Sequence, residues 1–570
     1  MKQRISAGYR TFGMAGWARF SFLVPLGLLS CSAAPENEPP NIILIMADDM
    51  GFSDPGCYGS EIQTPNLDRL AENGLRFSRF YNGARCCPTR ASLLTGLYAH
   101  QVGVGYMADN DWGHESYRGD LDDQCVTMAE ALGSSGYATY MTGKWHVTRH
   151  LGHWSGDSAR MSKENWPLRR GFDRFYGTII GAGSYYDPVT LVRDNEPVEP
   201  EEDNFYYTDA INDQMVVFIN EHIKSGNKNP FFAYVAHVAP HWPLHALPED
   251  IERYEGVYDK GWDEIRRERL EKMKRIGLLD EDTELTPRDP GVPPWEEEKN
   301  KAWMVRAMEV YAAQIERMDK GIGRIIEALE KNHILENTLI VFLSDNGGCA
   351  EILTDGWRGM FIARETRDGR QVHVGNDPSV LPGPENTYQS YGVGWANVSN
   401  TPFRLYKHFA HEGGISTPMI MHWPGGIKAK GEWRRYPSHI IDLMPTFLDV
   451  AGVEYPERFN GKEILPPEGQ SLIPVIKQDR VERDGPLFWE HEGNRAVLSG
   501  KWKLVQRHNR DWALFDMLID RTETTDLSDE MPEKVAELKT MYEEWAEWAG
   551  VLPWPAYKYI QDNKLDEDAR

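Results

Sequence analysis

Cysteine is scarce in this chain, with six in 570 residues, too few and too widely spaced for a disulfide-stapled scaffold. Positive charge is in deficit: 62 Lys and Arg stand against 87 Asp and Glu, a formal net charge of −25. Such a surface disfavours nucleic acid and repels polyanions at long range, so an anionic ligand needs local positive charge to hold it. No apolar run reaches the length that spans a bilayer. No segment repeats, and the 51 glycines and 35 prolines are scattered rather than gathered into a low-complexity tract. What remains, 26% charged and 41% hydrophobic, is a globular composition long enough for a large core and more than one domain.

The N-terminus is a separate object. Lys2, Arg4, Arg10 and Arg19 precede the short apolar run "FSFLVPLGLL", the pattern of a signal peptide. It ends in "LLSC", Leu28 to Cys31, which resembles the lipobox of bacterial lipoproteins. The expectation is a signal peptide over 1–30, a lipid on Cys31, and a polar tether over 31–40, with plain secretion as the alternative. The mature protein is then exported to the periplasm or cell surface and meets the membrane only through its lipid. Losing four cations from a net charge of −25 leaves −29.

Beyond the tether, apolar runs end in chemistry. "NIILIMADD" closes on Asp48 and Asp49, "YATYMTGKWH" on Lys144 and His146, "PFFAYVAHVAPHWP" on His237 and His241, and "NTLIVFLSDNGG" on Asp345 and Asn346. "TPMIMHWPGG" is another run of the type. Helix signals lie between them: "TPNLDRLAENG", with Thr64 as cap, Pro65 at the first helical position and Gly74 as stop, and the long amphipathic "WMVRAMEVYAAQIERMDKGIGRIIEALEKN". This alternation predicts an α/β fold, a large, mixed, mostly parallel sheet sandwiched by helices over 41–455. Ligands of open sheets bind beyond the carboxyl ends of the strands, where these residues gather. Over 456–570, "PLFWEH", "RAVLSGKWKLVQ" and "WALFDM" predict a smaller antiparallel α+β subdomain completed by the helix "MPEKVAELKTMYEEWAEWAG". The aromatic stretch 354–400 reads equally as a pocket-forming excursion and as a structural loop.

Asp48, Asp49, Asp345 and Asn346 are hard oxygen donors, suited to Ca²⁺ or Mg²⁺ rather than zinc. "RCCPTRASLLTG" raises a different question, because adjacent thiols suit neither a disulfide ladder nor a C-x-x-C site. Pro88 fits the first turn of a helix, which places Cys86 at its N-terminus, where backbone N–H groups favour an anion. The stretch resembles the sulfatase signature C-x-P-x-R-x-x-x-L-T-G, matched by Cys86, Pro88, Arg90, Leu94, Thr95 and Gly96. Essentially the whole mature chain is similar to bacterial arylsulfatases of the alkaline-phosphatase-like superfamily. The similarity runs through "TGKWH", "APHWPLHA", "LSDNGG", "HEGGISTPMI" and "GNRAVLSGKWKLV".

The resemblance implies that a maturation enzyme converts Cys86 to formylglycine, whose hydrate attacks the sulfur of a sulfate ester, forms a covalent sulfo-enzyme and releases alcohol, then sulfate. It also implies one Ca²⁺, with Mg²⁺ as the alternative, held by Asp48, Asp49, Asp345, Asn346 and the modified Cys86. Arg90 would orient the nucleophile, Lys144 and Lys407 hold sulfate oxygens, His146 take the proton of the second hydroxyl, and His241 protonate the leaving oxygen. Where many relatives read R-G-G-K, this chain has Arg404, Leu405, Tyr406 and Lys407, which puts the Lys407 assignment in doubt. His237 is assigned a structural role. The substrate that the resemblance implies is a small sulfate ester or a sulfated glycan. Two rivals stand: a phosphonate or phosphate ester hydrolase on the same scaffold, and an unmodified surface glycan-binding lipoprotein without catalysis, against which the intact ligand and cation positions count. Any pairing among Cys57, Cys87, Cys125 and Cys349 is open.

Overall fold

The computed structural model describes residues 38–108, 111–149, 162–200, 204–355, 362–479 and 482–561. The leader, Cys31 and most of the tether lie outside the described residues. From Pro39 onward the chain is one compact unit.

An 11-stranded sheet organises it. At its centre run five mutually parallel strands in the spatial order Thr338–Ser344, Asn41–Asp48, Phe231–Pro240, Ala138–Lys144 and Arg174–Thr178. Ser416–His422 adds antiparallel to Thr338–Ser344, and Leu75–Tyr81 antiparallel to that in turn. The central strands are apolar on both faces because both faces are covered. Ile43, Ile45 and Ala47 enter one core layer while Ile42, Leu44 and Met46 enter the other, the alternation of successive side chains across a pleat. The first layer is closed by the helices Pro65–Glu72, Tyr207–Lys224 and Lys301–Lys331, the second by Cys86–Thr95, Met128–Ser134 and Leu443–Ala451. Helix Cys86–Thr95 is buried at every position, which explains its lack of an amphipathic pattern.

The C-terminal part is a four-stranded antiparallel sheet, Leu487–His491, Asn494–Ser499, Trp502–Gln506 and Trp512–Asp516, packed on helix Pro532–Ala549. In the 354–400 stretch the described residues form a two-strand parallel pair, His373–Val374 with Thr387–Tyr388, and the helix Gly392–Ser399. Among the described residues the five cysteines form no disulfide, and no helix is long and apolar enough to cross a membrane.

One local expectation is corrected. Helix Pro65–Glu72 starts at Thr64 as predicted, but the Thr64 side chain makes no cap hydrogen bond and donates instead to Asp68 Oδ1 at 3.0 Å. Asp319, from the long helix Lys301–Lys331, takes the cap's place: its carboxylate accepts from Leu67 N at 2.8 Å and Asn66 N at 3.1 Å. A carboxylate at a helix N-terminus satisfies the same orphan N–H groups wherever it comes from in sequence.

Candidate active site

All four predicted strand ends meet at the carboxyl edge of the parallel sheet, and helix Cys86–Thr95 points its N-terminus into the same place. Turns there use left-handed backbone at non-glycine residues, among them Asp49 (φ 64°), Ala84 (φ 64°), His146 (φ 57°) and, on either side of Lys407, Leu405 (φ 64°) and His408 (φ 83°). Such conformations persist where the surroundings over-determine them, and here they re-aim side chains as strands end. Arg85 is extended, Cys86 opens the helix, and Pro88 occupies the first turn, where no N–H is missed. Thr89 Oγ1 donates to Asp345 O at 2.6 Å and accepts from Gly83 N at 2.8 Å, which fastens the helix start to the Asp345 turn. Thr89 fills a variable position of the signature, so only its hydroxyl in a first turn could have marked it in the sequence.

Arg90 is fully buried. Its Nη2 lies 2.7 Å from Asp345 Oδ2 and 3.7 Å from Asp48 Oδ2, while Nη1 donates to Lys144 O at 3.0 Å. Lys144 Nζ donates to Asp48 Oδ2 at 2.5 Å. Asn346 Nδ2 donates to Asp49 Oδ1 at 2.6 Å, and Asp49 N to Asp345 Oδ1 at 3.1 Å. Lys407, in doubt from the sequence, reaches the same cluster: its Nζ lies 2.9 Å from Asp49 Oδ2 and 3.2 Å from His241 Nε2. His241 is held from its other side by Trp242 O, 2.6 Å from Nδ1. His146 Nε2 lies 3.2 Å from Cys87 Sγ. His237 is fully buried outside this network, with neither ring nitrogen hydrogen-bonded to a described residue.

Electrostatics follow from this packing. Burial, then the neighbouring Asp345, pushes the Asp48 carboxyl well above its ordinary range despite Lys144 and Arg90. Burial pushes His146 down to about 3, and burial with Lys407 and Lys144 pushes His241 well below the imidazole range, so both rings rest neutral. Burial alone would lower Lys407, yet Asp49, Cys349 and Glu351 hold it well above the usual lysine range. The Cys87 hydrogen bond, with Lys144 and His146 behind it, holds the Cys86 thiol well below its usual value.

The donor set fits a hard cation. Asp48 Oδ1 and Asn346 Oδ1 are buried with no hydrogen-bond partner among the described residues, the mark of oxygens that await a ligand of another kind. Carboxylate and amide oxygens of Asp48, Asp49 and Asn346, with Asp345 beside them, suit Ca²⁺ or Mg²⁺. Cys86, Cys87 and His146 also converge within 4.8 Å, a softer set that conversion of Cys86 would dismantle.

Sequence reasoning did not find the rim. Arg85 pairs with Glu351 at 3.0 Å and hydrogen-bonds His408, whose ring also meets Glu492 at 2.8 Å and Glu351 at 3.1 Å. Trp242 Nε1 donates to Glu351 at 2.8 Å. Glu492 comes from the C-terminal sheet, so both parts of the chain border residue 86.

Comparison with known proteins bears on this site. A family model described as Sulfatase matches residues 40–453, and one described as N-sulphoglucosamine sulphohydrolase, C-terminal, matches residues 403–547. An arylsulfatase of Klebsiella aerogenes is 36% identical over 459 residues, 78% of this chain and 93% of that protein. An uncharacterized sulfatase of Schizosaccharomyces pombe is 32% identical over 552 residues, 91% of this chain and 96% of that one. Among solved structures, Ps i-CgsB in complex with k-i-k-neocarrahexaose is similar with a TM-score of 0.62 and 26% identity, over 91% of this chain and 94% of that one.

Proposed function

The chain belongs to the sulfatase family and is a sulfuric ester hydrolase; from that premise we propose that it works through formylglycine at position 86, with Ca²⁺ held by Asp48, Asp49, Asp345 and Asn346. The observation that carries this reading is the convergence of Lys144, Lys407 and His241 on the buried oxygen donors, with Cys86 at a helix N-terminus and His146 beside it. The hydrated aldehyde supplies two hydroxyls on one carbon, one to attack sulfur and one whose deprotonation expels sulfate, and bound Ca²⁺ supplies Lewis-acid polarisation.

This chain's residues do the rest. Arg90 offsets the carboxylates and fixes Asp345. Lys144 and Lys407 present ammonium groups to sulfate oxygens as negative charge develops. His146, neutral at rest, takes the proton of the second hydroxyl once negative charge at residue 86 offsets the burial that weakens it as a base. His241 is neutral at rest, and a sulfate ester brings the negative charge that favours its imidazolium, with Lys407 Nζ 3.2 Å from Nε2 as the adjacent donor. A sulfated small molecule or glycan is the substrate class, consistent with the carrahexaose-bound relative.

Turnover of 4-nitrophenyl sulfate, set against the matching phosphate and phosphonate esters, tests the reaction, and the mass of the peptide containing residue 86 tests the modification. Preference for the phosphorus esters, or an unmodified Cys86 in fully active protein, would overturn it. We also propose export with a lipid on Cys31, supported by "LLSC". Cys31→Ser should release the protein from the membrane fraction or leave it unprocessed, and unchanged fractionation would count against the anchor.

A further inference from the structure

The segment that carries Lys407 into the active site also lines, through Arg404, Tyr406 and Phe409, an open cavity of about 610 Å³. That is within the range of small-ligand pockets. None of the ten candidate site residues borders it.

Two arginines face this cavity without a carboxylate of their own. Arg404 Cζ lies 5.9 Å from the ring centroid of Phe515, and Arg507 Cζ lies 5.1 Å from that of Phe409. Aromatic rings at these distances make cation–π contacts but supply no hydrogen-bond acceptor, so the guanidinium N–H groups stay available to one. Neither side chain has a hydrogen bond or ion pair with a described residue, and Arg404 Nε is buried without a partner. Neither of the nearby acids forms an ion pair with these two arginines. Glu523, whose ionisation Arg404 favours, is bound by Lys503 at 2.8 Å. Asp289, on the cavity wall, accepts from Tyr406 OH at 2.9 Å.

Asn397, 2% exposed, also lines the cavity, and its Oδ1 is buried with no partner among the described residues. A buried polar atom left unpaired costs free energy that a ligand recovers. In a chain of net charge −25, two arginines without an ion-pair partner, on one cavity wall with an orphaned acceptor, describe a ligand that carries both an anion and a hydroxyl donor.

We propose that this cavity binds a sulfated sugar unit other than the one being hydrolysed. The edges of Arg404 and Arg507 take the sulfate ester, which fits a planar bidentate donor, and Asn397 Oδ1 accepts from a ring hydroxyl. The choice of a sulfate ester rests on the hydrolase reading above, but the binding needs no turnover. A local cationic site of this kind answers the long-range repulsion that an acidic surface exerts on a sulfated polymer.

Isothermal titration of the full chain carrying Cys86→Ala, with a sulfated disaccharide, its unsulfated counterpart and inorganic sulfate as three probes, tests the proposal. The sulfated disaccharide should bind more tightly than either other probe. Arg507→Gln, an exposed position that leaves the fold intact, should weaken it about tenfold, and adding Arg404→Gln should weaken it further. Arg507→Gln in the active chain should leave 4-nitrophenyl sulfate turnover within about twofold, since none of the ten candidate site residues borders this cavity. Unchanged affinity in Arg507→Gln and in the double variant would overturn the site, and equal affinity for inorganic sulfate would overturn the saccharide. Failure of the wild type to turn over 4-nitrophenyl sulfate would sink the hydrolase reading alone, because the titration is read in a chain that cannot react.

Discussion

A single hydroxyl on one carbon separates two behaviours at residue 86. Serine there keeps one hydroxyl beside Lys144, Arg90 and the helix N-terminus, so attack on sulfur survives, but it has no second hydroxyl whose loss of a proton expels sulfate. Cys86→Ser should therefore release at most about one equivalent of 4-nitrophenol and stop with sulfate on residue 86, as intact mass would record. Sustained turnover by an unsulfated mutant would remove the need for a geminal diol. The orphaned oxygens Asp48 Oδ1 and Asn346 Oδ1 support a second expectation. Purified protein should carry about one Ca²⁺, and chelation should lower its thermal midpoint, because a ligand held only by the folded state stabilises it. Stoichiometric zinc or iron would redirect attention to Cys86, Cys87 and His146, the softer cluster nearby.

At the level of elements, legibility followed the range of the interaction. Strand ends were readable because five apolar strands in a doubly covered sheet leave polar residues only where they emerge, and the helix at Cys86 was readable from Pro88, while its C-cap Gly96, at φ 72°, was noted only as part of the signature. Lys407 was doubtful because its segment departs from the pattern of its relatives, yet the turn still delivers Nζ to Asp49. The Arg85–Glu351–His408–Glu492 rim was unreadable, since its members lie in four separate segments and none carries a local signature. The same holds for the cap of helix Pro65–Glu72, where Thr64 is the local candidate and Asp319, over 250 positions away, accepts the hydrogen bonds. Asp319→Ala leaves Leu67 N and Asn66 N unpaired in a partly dry junction and should cost about 1–2 kcal/mol in urea unfolding with turnover preserved. Thr64→Val should cost less; a larger loss from Thr64→Val would restore the threonine as the effective cap.

On the scale of the whole molecule, the two sheets are joined by charge as well as by packing. Lys503, fully buried in the C-terminal sheet, lies 2.8 Å from Glu412 and 2.8 Å from Glu523. Glu412 also accepts from Ser416 Oγ at 2.7 Å, and Glu523 accepts from Glu412 N at 3.0 Å, so the triad sits at the turn that enters strand Ser416–His422. Lys503→Met keeps much of the side-chain volume and leaves two buried carboxylates without their shared cation. Breaking a buried pair in this way costs about 3–5 kcal/mol, expected here as a lower urea midpoint near neutral pH. The pH dependence has a defined sign. In the wild type, burial would raise Glu412, but Lys503 and Arg521 hold it below its ordinary value of 4.5, so its contribution is present above that value and is lost as pH falls through the lowered one, whereas Glu523 stays raised by burial even beside Lys503 and opposes it. In the mutant both carboxyls lose Lys503, Glu412 keeps only Arg521 at 3.4 Å, and burial and their mutual repulsion raise them, so the folded state takes up protons before the unfolded state does. Its instability is then relieved as pH falls toward the unfolded value. The gap between wild type and Lys503→Met should narrow from about pH 7 to about pH 5. A gap under about 1 kcal/mol, or one that stays constant across that window, would mean that water already reaches the triad and that apolar packing alone holds the C-terminal sheet against the active-site edge.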